Sequence, residues 1–295
     1  MSIPSSFIAP SLQVVPSSDG IGADIIGLDL NAGVDGAQAA RIHAAWLEHL
    51  VLRFRGNGGL SLDRLAEFSR LFGELDSAPI ASVSMGRNHQ RPRPDITVIS
   101  NIVENGRSLG GLGSYEAAWH ADMTYNVRPP KGSALYAVEV PPSGGNTHFA
   151  NMYAAYESLP AELKSLALTL ECIHDASRNS AGELRVGFED NIDPRRTVGA
   201  RHPVVRKHPE TGRRSLFLGR RRNAYLPGLP VDESEEILDR LWAHATQHAP
   251  VWTQVWQVGD VVLWDNRCTM HRRDAFDPAT RRLMYRTQIS GEAVQ

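Results

Sequence analysis

The stretch that most constrains this chain runs from Trp264 to Arg286, WDNRCTMHRRDAFDPATRRLMYR, because it sets one imidazole before two arginines at strand spacing. His271 is a candidate metal ligand. Arg282, Met284 and Arg286 alternate, so a strand through LMYR turns these three to one face and Leu283 and Tyr285 to the other. At about 3.3 Å per residue the two guanidiniums then lie roughly 13 Å apart on one wall. A guanidinium fits a carboxylate as a two-pronged donor, so inward arginines beside a histidine point to an anionic ligand. Either arginine taken alone also reads as a solvated or salt-bridged surface residue. Far upstream, AAWHADMTY holds His120 and Asp122 as an H-x-D pair, which alternation places on one face. With His271 they make a two-histidine, one-carboxylate set of the kind that binds iron(II) on one octahedral face and leaves three positions open.

These motifs resemble those of the iron(II)- and 2-oxoglutarate-dependent oxygenases that include taurine dioxygenase and dichlorophenoxyacetate dioxygenase. The resemblance rests on WHAD at 119–122, PPSGGNTHF at 141–149, GDVVLWDNRCTMHR at 259–272 and the arginines that follow, and extends from about residue 12 to the C-terminus. It implies that His120, Asp122 and His271 hold Fe(II). Thr147 and Arg282, the latter eleven residues after His271, match positions that hold the remote carboxylate of 2-oxoglutarate. Arg286, fifteen residues after His271, matches one that meets a substrate anion or adds to the co-substrate site. Glu116, four residues before His120, falls where taurine-type enzymes place a polar substrate contact. A carboxylate there repels an anion, so Glu116 either faces solvent or selects a cationic group. Relatives acting on aryloxy acids tend to carry a histidine near Arg221, and this chain does not.

Composition narrows the partners. With 31 Lys plus Arg against 33 Asp plus Glu, the net charge of -2 argues against a broad electrostatic footprint for nucleic acid. Two cysteines, Cys172 and Cys268, without an N-terminal basic region and apolar core, read as reduced thiols in the cytoplasm. No run of about 18 apolar residues suggests a membrane span. A monomer and a homo-oligomer are both compatible with the sequence.

In chain order, LQVVP and ADIIGLDL read as short strands, and Asp35 as the cap of a helix through Ile42, Ala45, Trp46 and Leu50. VLRF follows as a strand. Leu65, Phe68 and Phe72 repeat at helical spacing after Ser61, with Gly73 as a stop. DITVISNI reads as a strand, and the glycine-rich ENGRSLGGLGSYEAA as a mobile lid or a disordered surface loop. SALYAVEV, ECIHDA and the centre of RRSLFLGRRRN read as strands, and 177–200 as a polar insertion or second lid. Asn151 caps one helix, Pro160 opens another, and Asp232 with Glu235 offers a reciprocal cap to a helix burying Ile237, Leu238, Leu241, Trp242 and Ala245. VWTQVWQ and VVLW add antiparallel strands. The expected architecture is mainly β with flanking helices (α+β), a double-stranded β-helix or jelly roll forming one oxygenase domain over 1–295, as the resemblance also implies.

The implied reaction uses Fe(II), 2-oxoglutarate and O2 to hydroxylate a small organic anion beside a heteroatom. Collapse of the product then breaks a C–O or C–S bond, with an aryloxyalkanoate favoured and a sulfonate next. A zinc hydrolase could use the same three ligands, and a non-catalytic jelly roll could bind a small acid without turnover. The Thr147 and Arg282 pair has no evident use in the first, and a complete ligand set none in the second.

Overall fold

In the computed structural model, strands from both ends of the chain interleave. Gln13–Pro16, Ala23–Ile26, Val51–Phe54, Val261–Asp265, Gly132–Glu139, Leu283–Ile289, Thr97–Ser100 and Gly111–Leu112 form, in that order, an eight-stranded sheet. Val251–Gln254, Thr147–Asn151, Thr269–Arg273 and Ala117–His120 form a four-stranded antiparallel sheet. The structure describes residues 12–77, 93–114, 117–180, 182–191, 193–219 and 221–295, so Glu116 lies outside the described residues.

The two sheets share an apolar core. Val262, Trp264, Leu135, Ala137 and Met284 of the large sheet pack with Phe149 and Trp252 of the small one. On the outer face of the large sheet, α1 (Gly36–His49) and α2 (Leu62–Arg70) bury Ile42, Trp46, Leu65 and Phe68 against Leu52, Phe54, Val261 and Leu263. Because Val261–Asp265 is covered on both faces, its side chains alternate between the two cores and all are buried, which is why VVLW lacks polar positions. The other face of the small sheet contributes Ala150 and Met270 to a third cluster beneath α3 (Met152–Glu157), α4 (Ala161–Ala167) and α5 (Val231–Gln247). A sheet pair packed face to face with helices outside is the expected jelly roll.

Local signals account for most boundaries. Asp35 and Gln38 form a reciprocal capping box on α1, and Asn151 accepts the Tyr153 and Ala154 N–H groups at the start of α3. Two expectations fail. The Asp232–Glu235 box does not form: Pro230, extended at φ -53° and ψ 148°, occupies the cap position, α5 starts at Val231, and Glu235 pairs with Arg221 at 2.7 Å. The glycine-rich segment is not an open loop between 103 and 114. Asn105 and Gly106, both at positive φ, turn a hairpin between Val103–Glu104 and Arg107–Ser108, and Gly111–Leu112 pairs beside Thr97–Ser100. Asn-Gly favours the hairpin turn that matches strand twist. The described residues of segment 177–200 are irregular as expected apart from a 3-10 turn at Pro194–Arg196 and a bridge between Arg178 and Leu184, and Arg185 lies over the Tyr125 ring at 4.1 Å. Cys172 and Cys268 are both free and buried.

Candidate metal and dicarboxylate site

His120 ends one strand and His271 stands directly opposite it on the next, their ring centroids 4.2 Å apart. Asp122 Oδ1 lies 3.7 Å from His120 Nε2 and 3.9 Å from His271 Nε2. Two metal bonds of about 2.0–2.2 Å span up to about 4.2 Å, so an ion can bridge Asp122 to either imidazole, and all three donor atoms lie within 4.8 Å of one another. The His120 ring is oriented by Nδ1 at 2.7 Å from the Ala118 carbonyl oxygen, which turns Nε2 toward the cluster. Burial by itself raises the Asp122 carboxyl. The Arg286 guanidinium, then the two imidazoles, overcome this and hold it well below the usual carboxylate range, as an anionic ligand.

Asp122 does not reach this position by strand alternation. The strand stops at His120, and Asp122 sits in the turn beyond it. Asn266 holds it there: the Asp122 N–H donates to Asn266 Oδ1 at 2.7 Å, while Asn266 Nδ2 donates to the Asp122 and Pro130 carbonyls, each at 2.9 Å. In the sequence Asn266 is only an amide within WDNRC, and its role rests on contacts across the fold.

A second group, His208, Asp265 and Cys268, is equally close. Its chemistry is wrong for a cation. Arg267 already donates Nε to Asp265 Oδ1 at 2.9 Å and Nη2 to Oδ2 at 2.7 Å, and burial pushes the Cys268 thiol well up, so it stays protonated. His208 accepts two backbone N–H groups at Nδ1 and turns Nε2 to Asp265 at 3.1 Å.

Beside the metal site lies a cationic corner. Arg282 is 2% exposed, its Nε has no hydrogen-bond partner, and it has no acidic partner among the described residues. Burial, then repulsion from Arg273, pushes its guanidinium down to about 9, which still leaves it charged at neutral pH. Its backbone N–H donates to Asn101 Oδ1 at 2.9 Å. The GGNT turn packs against it. A Cβ on Gly145 would stand 3.7 Å from Arg282 Nε, and one on Gly144, at φ +74°, would meet the Ala275 carbonyl oxygen at 2.7 Å, so the turn needs glycine there. Thr147 is buried at the start of its strand, its hydroxyl oxygen accepting from Trp256 Nε1 at 3.0 Å.

Arg286 stands on the inward face with Met284, while Tyr285 packs into the outer core, as alternation requires. The shift opposite Leu283 and Met284 puts its extra residue on Gly132–Glu139, while Leu283–Arg286 pairs one to one with Thr97–Ser100, and Arg282 lies one residue before the strand begins. Arg286 Nη1 lies 3.2 and 3.3 Å from the two Asp122 oxygens, at the metal site itself. Arg273, not singled out from sequence, is also buried at this corner. Its position two residues after His271, hence on the same strand face, was the available signal.

Two imidazoles on adjoining strands and a carboxylate in the turn beyond them are donors suited to a metal ion, and Arg282, buried without an acid among the described residues, is suited to an anion. Residues 13–288 match the family described as Taurine catabolism dioxygenase TauD, TfdA family. The chain belongs to that family. An (S)-phenoxypropionate/alpha-ketoglutarate-dioxygenase of Sphingobium herbicidovorans is 34% identical over 298 residues, covering 97% of each chain. Pentalenolactone F synthase of Streptomyces arenae is 32% identical over 282 residues, covering 90% of each. The crystal structure of AAD-2 in complex with Mn(II) and N-oxalylglycine superposes with a TM-score of 0.77 at 29% identity, over 96% of this chain and 98% of that one. As a TauD/TfdA protein the chain is an α-ketoglutarate-dependent dioxygenase, and Fe(II), 2-oxoglutarate and O2 are the cofactors of that class. The His120, Asp122 and His271 donor set fits such a metal, with two nitrogens and one carboxylate converging and Arg282 suited to an anion close by.

Proposed function

We propose that this dioxygenase hydroxylates a small organic anion at a carbon next to a heteroatom, with iron(II) on His120, Asp122 and His271 and the remote carboxylate of 2-oxoglutarate on Arg282 and Thr147. The observation that carries the reading is the buried Arg282 charge, which lacks an acid of its own among the described residues. An isolated buried charge is expensive unless paired, so a ligand carboxylate is the natural counter-ion. When bound, iron and 2-oxoglutarate supply an oxygen-derived oxidant for an unactivated C–H bond.

The chain's own residues do the positioning. Ala118 and Asn266 hold two of the ligands, and Arg286 offers a guanidinium at the metal to an anionic substrate group. If the hydroxylated carbon bears oxygen or sulfur, the product collapses and that bond breaks. An aryloxyalkanoate is the favoured substrate and a sulfonate the next, supported by Arg286 and by the phenoxypropionate relative. Similarity to pentalenolactone F synthase is nearly as high, so overall identity does not choose the substrate and the local charge does. The hydrolase and sensor readings leave Arg282 and Thr147 without a task.

One oxygenase domain spans 1–295 in this reading, supported by the family match over 13–288. No helix of the described residues is long and apolar enough to cross a membrane, which accords with a cytoplasmic enzyme. The test is an anaerobic iron(II) and 2-oxoglutarate titration followed by air, with succinate measured across phenoxyacetates, phenoxypropionates, alkylsulfonates, taurine and amino acids. Turnover confined to neutral or purely cationic compounds would overturn the assignment of Arg286.

A further inference from the structure

We infer that Arg273 is a second guanidinium for the remote carboxylate of the 2-oxo acid, acting beside Arg282 and setting the preference for a dicarboxylic over a monocarboxylic co-substrate. This rests on the 2-oxoglutarate reading above.

The strand Thr269–Arg273 pairs one to one with Thr147–Asn151, placing Arg273 opposite Thr147 and His271 opposite Phe149. The irregularity on its other side, where His271 pairs with His120 and Arg273 with Ala117, puts the extra residue on the neighbouring strand. Thr269–Arg273 is therefore regular, and Arg273 projects to the same side as His271. From there its guanidinium carbon reaches 5.5 Å from the Phe276 ring, and that of Arg282 reaches 6.0 Å from the same ring. One phenyl group thus stands next to two buried cations, with the Gly144–Gly145 turn packed against it.

Arg273 Nη2 donates to the Leu112 carbonyl oxygen at 2.9 Å, which fixes the plane of its five-donor fork. Like charges brought together away from water repel, and a carboxylate reaching both relieves the repulsion and accepts charge-assisted hydrogen bonds. 2-Oxoglutarate chelating at His120, Asp122 and His271 carries such a group at its far end; 2-oxopentanoate, with the same chain length, does not.

The experiment is anaerobic calorimetry on the Mn(II)-loaded protein, comparing 2-oxoglutarate with 2-oxopentanoate in the unaltered chain, Arg273→Met, Arg273→Lys and Arg282→Met. In Arg273→Met, 2-oxoglutarate binding is expected to weaken roughly 10- to 150-fold, the range for one hydrogen bond to a charged group. Binding of 2-oxopentanoate is expected to stay within about threefold, so the preference for the diacid collapses. Arg273→Lys should recover part of it. Equal weakening toward both acids would reduce Arg273 to a prop for Leu112, and unchanged 2-oxoglutarate binding would remove it from the site. If Arg282→Met also kept its 2-oxoglutarate affinity, the co-substrate site itself would be misplaced.

Discussion

Arg267 and Arg282 are almost equally hidden, at 1% and 2% exposure, and their surroundings are opposite. Arg267 grips Asp265 with two nitrogens and reaches Glu210 at 2.5 Å; burial disfavours its charge, but these acids raise its pKa above the ordinary value. Arg282 has no acid among the described residues, and burial lowers it. A buried cation whose acids come from the chain is part of the scaffold, and one left without an acid is poised for a ligand. The first knot, with His208 on Asp265, braces the strand end that leads through Asn266 to Asp122. In the function proposed above, the second is where an incoming dicarboxylate would complete the charge balance.

The most drastic way to break this contrast is to remove the metal. Replacing His120, Asp122 or His271 with Ala should abolish succinate formation while the circular dichroism of the folded chain persists, since the Asp265–Arg267 knot is untouched. Undiminished succinate in any one variant would contradict its role as a ligand.

The contrast is sharpest in a matched pair of methionine substitutions. Arg267→Met strands Asp265 as a buried, uncompensated charge and should cost about 3–5 kcal/mol of stability, read as a lower midpoint in urea. Arg282→Met should leave that midpoint unchanged or raise it, because the charge it removes has no acid to abandon among the described residues. It should instead weaken 2-oxoglutarate binding by about 2–5 kcal/mol, roughly 30- to several-thousand-fold. Equal stability losses in the two would erase the distinction between scaffold and ligand-binding arginines.

Acid provides a smaller handle. Burial would raise the Asp265 carboxyl, but the Arg267 charge and hydrogen bonds, then His208, hold it well below the ordinary value of 3.8. Its stabilisation is fully present above that value. As pH falls below it the unfolded chain takes up a proton that the folded chain refuses, and stability declines at up to about 1.4 kcal/mol per pH unit from this group. Urea unfolding between pH 5 and 3 should show a shallower decline in Asp265→Asn; an identical slope would assign the acid sensitivity elsewhere.

The smallest expected effect is at Thr147. Thr147→Val removes the hydroxyl and leaves the Trp256 indole N–H without its acceptor, so the 2-oxoglutarate requirement should rise about 2- to 10-fold. A change as large as that of Arg282→Met would make the hydroxyl an equal anchor.

What the sequence determined by itself was whatever depends on near neighbours along the chain. Ile42, Ala45 and Trp46 repeat at helical spacing and lie buried on α1, Asp35 and Asn151 cap as their chemistry allows, and Met284 and Tyr285 part to opposite faces of a strand. The H-x-D pair and the distant histidine named the three metal-ligand candidates because imidazole and carboxylate carry their chemistry into any fold. The Asp232–Glu235 cap failed even at this local level, since a proline two residues earlier already had the required extended backbone.

Only the tertiary structure decided which charges meet. Spacing from His271 singled out Arg282, but nothing in the chain order shows that Arg267 finds Glu210 57 positions away or that Arg286 finds Asp122 across 164. Asp122 is brought to the histidines by Asn266, a contact spanning 144 positions, and no strand periodicity encodes it. Arg273 was legible as a side chain on the face of His271 but not as the neighbour of Arg282, because they converge through a ring and a glycine turn from separate segments. Periodicity comes from the backbone repeat, which a short window contains. Electrostatic complementarity depends on distance through space and on the exclusion of water, and neither exists until the sheets have closed.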